Sequence, residues 1–237
     1  DDAKHAKVLR LAPGEHIAVV AAAEDYFECE IASLDDDFPL VRITRHEDAT
    51  DDGPLVMLVQ GLAKGEKMDS VIRHATELGV AAFMPLTCER SIVKLDAKKT
   101  RTRLDRWCSI AKSAAMQSGQ PRIPEVLEPR SVKEAAAELA EATAVLICWE
   151  EAPQTASLAQ AIGRGLSECF CPRGDARIAV VVGPEGGLTE REVGFFLDAN
   201  PRASLVSLGS SILRTETAGV VAPALTLYEL GKLGGTR

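Results

Sequence analysis

From residue 55 onward, short apolar runs alternate with amphipathic spans. That alternation restricts the chain to a parallel sheet covered by helices on both faces. Leu55 to Gln60 reads as a buried strand. Met68, Val71, Ile72, Ala75 and Leu78 fall at helical spacing, and Gly79 stands where a left-handed cap belongs. Val80 to Met84 is a strand stopped at Pro85, and a basic helical stretch runs from Lys98 to Gln117. Strand Ala144 to Cys148, helix Ser157 to Cys169 and strand Ile178 to Val182 follow. A helix from Thr189, strand Ala203 to Leu208 and a helix from Thr215 to Leu230 complete the pattern. The fold class expected is α/β.

The first fifty residues read differently. Ile17 to Ala21, Tyr26 to Ile31 and Leu40 to Thr44 are short strands, separated by Pro13-Gly14 and by the acidic cluster Asp35-Asp36-Asp37. Such spacing predicts a small β-barrel. Ala49 to Pro54 is polar and turn-prone, which puts the domain boundary there and divides the chain into residues 1–53 and 54–237.

Charge is unevenly spread. The whole chain nets −8, yet residues 1–53 hold five Lys/Arg against fourteen Asp/Glu, so the remainder nets +1. Residues 90–112 carry eight Lys/Arg against Asp96 and Asp105, a local +6. Clustered cations of this kind contact phosphates even in acidic proteins; composition alone favours a solvated helix face. Six cysteines with no recurring CxxC pair, and histidines without ligand spacing, read as free thiols of a reducing cytosol rather than as a metal site. No apolar run approaches the roughly 20 residues of a transmembrane helix, and no secretory leader is visible. A cytoplasmic protein without metal or membrane partner is the expectation.

Two strand-to-helix loops carry the chemistry. In open parallel sheets ligands collect beyond the carboxyl ends of strands. Gly183-Pro184-Glu185-Gly186-Gly187 lets the backbone turn and approach a ligand closely, and Thr189 with Glu192 forms a capping box for the helix behind it. Leu208-Gly209-Ser210-Ser211-Ile212-Leu213-Arg214 leads into the last helix, with Arg214 a permanent cation and Glu216 in the first turn. A surface Arg beside a capping acid would look the same. Gly61 to Lys67 mimics a phosphate-binding loop, but Met68 follows the lysine and the glycine spacing is wrong. Gly163-Arg164-Gly165 falls within or at the end of a helix, so it is no dinucleotide fingerprint.

These segments resemble the signature blocks of the RsmE-type 16S ribosomal RNA uridine-N3 methyltransferases, of the SPOUT class. The resemblance takes in Val181 to Val193 and Leu205 to Leu225, and further blocks in order. Those are His5 to Leu11, Gln60 to Asp69, Glu77 to Val80, Glu89-Arg90-Ser91, Arg106-Trp107 and Ala114 to Gly119. It implies a PUA-like β-barrel in residues 1–53, a SPOUT-type trefoil-knotted sheet domain in 54–237, and a homodimer. It implies S-adenosylmethionine held by Gly183, Pro184, Glu185, Gly186, Gly187, Leu208, Gly209, Ser210, Ile212, Leu213, Arg214 and Thr217, with a further wall near Trp149 and Glu150. Arg214 would stabilise charge on a uracil oxygen, and Glu216 would orient it or serve as a relay to a base. The small ribosomal subunit, through its 16S ribosomal RNA, would be the partner, with Lys7, Arg10, Arg90, Arg106, Lys112 and Arg122 on phosphates and Gln117 and Ser118 near the target base.

Three departures from the family pattern bear on this. The chain starts close to the His-x-x-Val-Leu-Arg block, so the barrel's first strand is expected to be missing. Gln120 replaces a common Arg, and Pro223 is expected to kink the last helix. The alternatives are a SPOUT enzyme acting on a tRNA ribose 2′-oxygen, or a catalytically silent RNA-binding protein.

Overall fold

The computed structural model describes residues 11–20, 26–34, 39–47, 53–93, 95–151 and 155–235. Lys7 and Arg10 lie outside the described residues. The chain separates into two compact units, Asp1–Asp51 and Asp52–Arg237.

In the first unit β1 (His16–Val20), β2 (Tyr26–Leu34) and β3 (Pro39–Glu47) form an antiparallel sheet in that order. Gly14, at φ 90°, lets the chain turn into β1, and its amide donates to the Ile31 carbonyl. Cys29 and Ile31 point inward, whereas Glu28 and Glu30 face Arg45 and Arg42 across the sheet at 3.9 and 3.6 Å.

The second unit is built on a seven-stranded sheet. Its strands are β4 (Leu55–Gly61), β5 (Ala82–Thr87), β6 (Glu125–Val126), β7 (Arg130–Ser131), β8 (Ala144–Cys148), β9 (Arg177–Val182) and β10 (Ala203–Val206). Every pairing is parallel, in the order β10-β8-β9-β4-β5-β6, with β7 on the same edge of β5. The helices are α1 (Lys67–Leu78), α2 (Ala97–Ser118), α3 (Val132–Glu138), α4 (Leu158–Glu168), α5 (Glu190–Ala199) and α6 (Thr215–Glu229).

Side-chain alternation explains why the sheet is covered on both faces. Leu146, Ile178, Val180 and Val182 pack on one side with residues of α1, α2, α4 and α6. Val145, Ile147, Ala179 and Val181 pack on the other with residues of α3 and α5. The strands are therefore apolar throughout rather than alternating.

Several differences from the sequence reading have local causes. Pro85 lies inside β5 rather than ending it. β6 pairs with Ala82 and Phe83, and β7 with Leu86 and Thr87, so Pro85 falls in the gap between them and no ladder bond needs its missing amide. α3 escaped the periodicity because it is seven residues long. Its signal was the capping box Ser131-x-x-Glu134, present in the structure with both reciprocal bonds. β10 stops at Val206, short of Leu208. α6 contains Pro223, as the sequence reading has it.

α2 shows how a basic helix acquires a buried face. Trp107, Ala111, Ala114 and Ala115 form its inner stripe, and Gly119 ends it in the left-handed conformation. The buried Asp69 carboxylate of α1 fastens it: Arg106 reaches Oδ2 through Nε at 2.8 Å and Nη2 at 2.6 Å, while the Trp107 indole donates to Oδ1 at 3.2 Å. Asp69→Ala is expected to cost about 1–3 kcal/mol, because the indole N–H is left buried without an acceptor. Urea unfolding followed by tryptophan fluorescence measures it.

Candidate small-molecule site

β8, β9 and β10 stand beside one another, so their carboxyl ends open on one place. The loops that leave them enclose a cavity of about 650 Å³, within the size range of small-molecule sites. Trp149 and Glu150 follow β8, Gly183 to Gly187 follow β9, and Ser207 to Arg214 follow β10. Lys67 and the α6 residues Thr215, Glu216 and Ala218 complete the wall.

The glycines are required by close approach. A Cβ on Gly187, which has φ 70°, would sit 2.6 Å from the Glu150 carboxylate. One on Gly61, at the end of β4, would press on Pro184 Cδ at 2.6 Å and the Gly183 carbonyl carbon at 2.7 Å. The loop after β9 is also held from beneath. Gln60 donates to the Thr215 hydroxyl at 2.9 Å, and that hydroxyl donates to the Gly183 carbonyl at 2.6 Å. The Trp149 indole donates to the Leu188 carbonyl at 3.0 Å, so the β8 and β9 loops share a wall.

Charge concentrates at one end. Lys67 Nζ lies 3.1 Å from Glu185 and 3.2 Å from Glu216. Its contacts with the carboxylates of Glu185 and then Glu216 raise the Lys67 pKa above its ordinary value. Burial pushes the Glu185 carboxyl up, but the Lys64 amide, its own amide and Lys67 together outweigh it and hold it below the ordinary carboxylate value. Glu216 is held low by its own amide first, then by Lys67 and Arg214 against the cost of burial. The stabilisation these carboxylates contribute is present above their unfolded value, near 4.5, and is lost as pH falls through the depressed folded values. The Lys67 contribution is complete below its unfolded value, near 10.5, and fades as pH rises through the raised one. The small difference in melting temperature expected between wild type and Lys67→Met at neutral pH is therefore expected to vanish in acid. Cys148, at the cavity floor, has its thiol pushed up to about 12 by burial.

Of the residues singled out in the sequence, Gly183, Pro184, Glu185, Gly187, Leu208, Gly209, Ser210, Ile212, Leu213, Arg214 and Glu216 line this cavity, as do Trp149 and Glu150. Gly186 does not; its carbonyl accepts from Arg90 at 3.2 Å, and a Cβ there would meet Arg90 Cβ at 2.9 Å. Thr217 is exposed on α6, off the wall. Lys67 and Thr215 were not singled out. Lys67 sits in a segment whose glycine spacing is wrong for a phosphate loop, and no local pattern announces a partner more than a hundred residues away.

The basic residues have mixed surroundings. Arg90 also pairs with Glu151 at 3.1 Å, and Arg106 is engaged by Asp69. Lys112 and Gln117 are exposed on α2, the Ser118 hydroxyl donates back to the Ala114 carbonyl at 2.7 Å, and Arg122 is half-buried beyond the helix. Among the described residues, no group of three or more His, Cys, Asp or Glu is placed to hold a metal. None of their helices is long and apolar enough to cross a membrane.

The RNA methyltransferase domain model matches residues 52–227. The Ribosomal RNA small subunit methyltransferase E of Bacillus subtilis is 33% identical, over 96% of this chain and 87% of the relative. The protein of the same name from Mycobacterium bovis is 32% identical, over 94% and 82%. A crystal structure of the Ribosomal RNA small subunit methyltransferase E of Neisseria gonorrhoeae, bound to S-adenosyl methionine, is 30% identical with a TM-score of 0.77, covering 96% of this chain and 88% of that one. With a parallel sheet, a cavity at its carboxyl edge and relatives matched along nearly their whole length, the chain belongs to the ribosomal RNA small subunit methyltransferase E family of RNA methyltransferases.

Proposed function

We propose that the protein transfers the methyl group of S-adenosylmethionine to N3 of a uridine in the 16S ribosomal RNA of the small ribosomal subunit. The observation that carries the reading is the cavity beyond β8, β9 and β10, where a glycine- and serine-rich wall meets Arg214 and Glu216. The small residues and close backbone turns fit a bulky, bent nucleoside, and the acidic groups fit a cationic one. S-adenosylmethionine supplies an electrophilic methyl on a positively charged sulfur, so the site needs no metal.

The chain's residues do the rest. N3 of uracil is a poor nucleophile while protonated, and negative charge spreads onto the neighbouring carbonyl oxygens as that proton leaves. Arg214, at the start of α6, holds this charge, and Glu216 orients the guanidinium. In-line placement by the two loops contributes up to about 7–11 kcal/mol of the barrier reduction.

The same reading gives residues 1–53 an RNA-binding role as a PUA-like barrel, and residues 54–237 the methyl transfer. It threads the C-terminal segment as a trefoil knot, pairs the chain with a second copy and places it in the cytoplasm. Lys7, Arg10, Arg90, Arg106, Lys112 and Arg122 contact phosphates, with Gln117 and Ser118 beside the target base. The β9 and β10 loops, through Gly183, Pro184, Glu185 and Gly187 and through Leu208, Gly209, Ser210, Ile212, Leu213 and Arg214, form the cofactor site.

Labelled S-adenosylmethionine offered to unmodified small subunits and, in parallel, to bulk tRNA tests the reading. 3-Methyluridine from the subunits alone, identified by mass spectrometry of the nucleosides, is expected. A ribose-methylated product from tRNA overturns the substrate, and the absence of both product and cofactor binding overturns the activity.

A further inference from the structure

The stretch from Gln60, near the end of β4, to Lys67, the first residue of α1, touches the β9 loop and the start of α6 at two depths. At the inner depth, Gln60, Thr215 and the Gly183 carbonyl form a buried chain of hydrogen bonds. At the outer depth, two residues beyond Gly183 on the β9 loop and one beyond Thr215 on α6, Lys67 joins Glu185 to Glu216. The Lys64 amide adds a bond of 3.0 Å to Glu185, so that carboxylate is held from two positions of the same segment.

We propose that Lys67 is a positioning residue for methyl transfer: its ammonium, bound at once to Glu185 of the β9 loop and Glu216 of α6, locks those two elements in one register and thereby aims Arg214. The inference rests on the methyl-transfer reading of the site.

Stability alone does not account for the arrangement. The Lys67 side chain is 35% exposed and its partners 25% and 26%, and ion pairs of that exposure contribute little to folding. The inner relay already anchors the loop to α6. The outer bridge instead lies on the cavity wall, two residues from Arg214, where a small shift of the α6 terminus moves the guanidinium relative to a substrate. The bridge joins the β9 loop to α6, which lie far apart in sequence with α5 and β10 between them.

Wild type, Lys67→Met and Lys67→Arg are compared for kcat, KM, S-adenosylmethionine affinity by calorimetry, and melting temperature. Lys67→Met keeps the length and loses the charge; it is expected to lower kcat on the order of 10²-fold, as misplacement of about an ångström does, with KM for the subunit unchanged. Lys67→Arg, able to bridge two carboxylates with its fork, is expected to restore most of the rate. Removing Lys67 leaves Glu216 with Arg214 and its own amide, and Glu185 with the Lys64 amide and its own. The acid limb of the kcat profile therefore moves to higher pH in Lys67→Met. Combining Lys67→Met with Glu216→Gln is expected to add little to the worse single change. Wild-type kcat and cofactor affinity in Lys67→Met would overturn the inference, as would a loss that arginine does not restore. Should the wild type bind S-adenosylmethionine without methylating the subunit, the functional reading fails separately, and cofactor affinity decides the bridge: weaker in Lys67→Met supports it, unchanged overturns it.

Discussion

Arg214→Ala is expected to slow methyl transfer by about 10²–10³-fold, the usual cost of removing one preorganised donor from developing charge, while the melting temperature stays near that of the wild type. The two halves of that expectation come from different observations. Arg214 is exposed on the cavity wall and caps α6 through its backbone, with φ −65° and ψ 153°, while its side chain makes no cap bond. Truncating it therefore removes a cation from the cavity without opening the core. Arg214→Lys is expected to recover only part of the rate, because a point charge lacks the planar fork that two adjacent oxygens can share. Single-turnover kinetics on unmodified subunits, with cofactor affinity measured alongside, separates chemistry from binding. A variant that methylates at the wild-type rate would remove Arg214 from the mechanism.

Gly61→Ala is expected to have the largest effect on the cofactor site while lying outside its wall. The added methyl meets backbone on the far side, the Gly183 carbonyl carbon and Pro184, rather than the end of a flexible side chain. Relief requires the β9 loop to move. Thr215 bonds the Gly183 carbonyl and Lys67 bonds Glu185, so the loop cannot shift without breaking those ties. Overpacking of this kind costs about 1–3 kcal/mol, and each kcal/mol lowers the melting temperature of a domain this size by about 2–4 °C. S-adenosylmethionine binding is expected to be lost as well. Gly163→Ala in α4 is the control, since a Cβ there meets nothing within 4 Å. That change replaces the weakest non-proline helix former by the strongest and is expected to raise the melting temperature. Equal behaviour of the two variants in thermal unfolding and cofactor titration would refute the close-approach account.

Legibility followed the range of the interactions. The strands from β8 to β10 were readable because each is an apolar run flanked by turn residues, and a doubly covered strand needs nothing more. Gly79, Thr189 and Glu192 were readable because capping is a matter of neighbours three or four residues apart. Gly79 does end α1 at φ 97°, and the Thr189 box closes with both bonds. β6 and β7 are two residues each, too short for any period, and they exist only because β5 offers an edge. The basic stretch was readable as a charged helix, but not the commitment of Arg106 to a buried carboxylate on another helix.

Composition, apolar periodicity and the order of short motifs were enough to determine an α/β unit behind a β-rich leader, and to mark the β9 and β10 loops as the place where a ligand would be held. Those properties depend on contacts within a few residues, which the chain carries wherever it goes. Only the tertiary structure decided that Gly186 turns toward Arg90, that Thr217 points off the wall, and that Lys67 reaches Glu185 and Glu216. These outcomes depend on the strand order β10-β8-β9-β4-β5, which brings residues 60–67, 183–187 and 207–216 together, and strand order is set by the packing of the whole sheet rather than by any local run of residues.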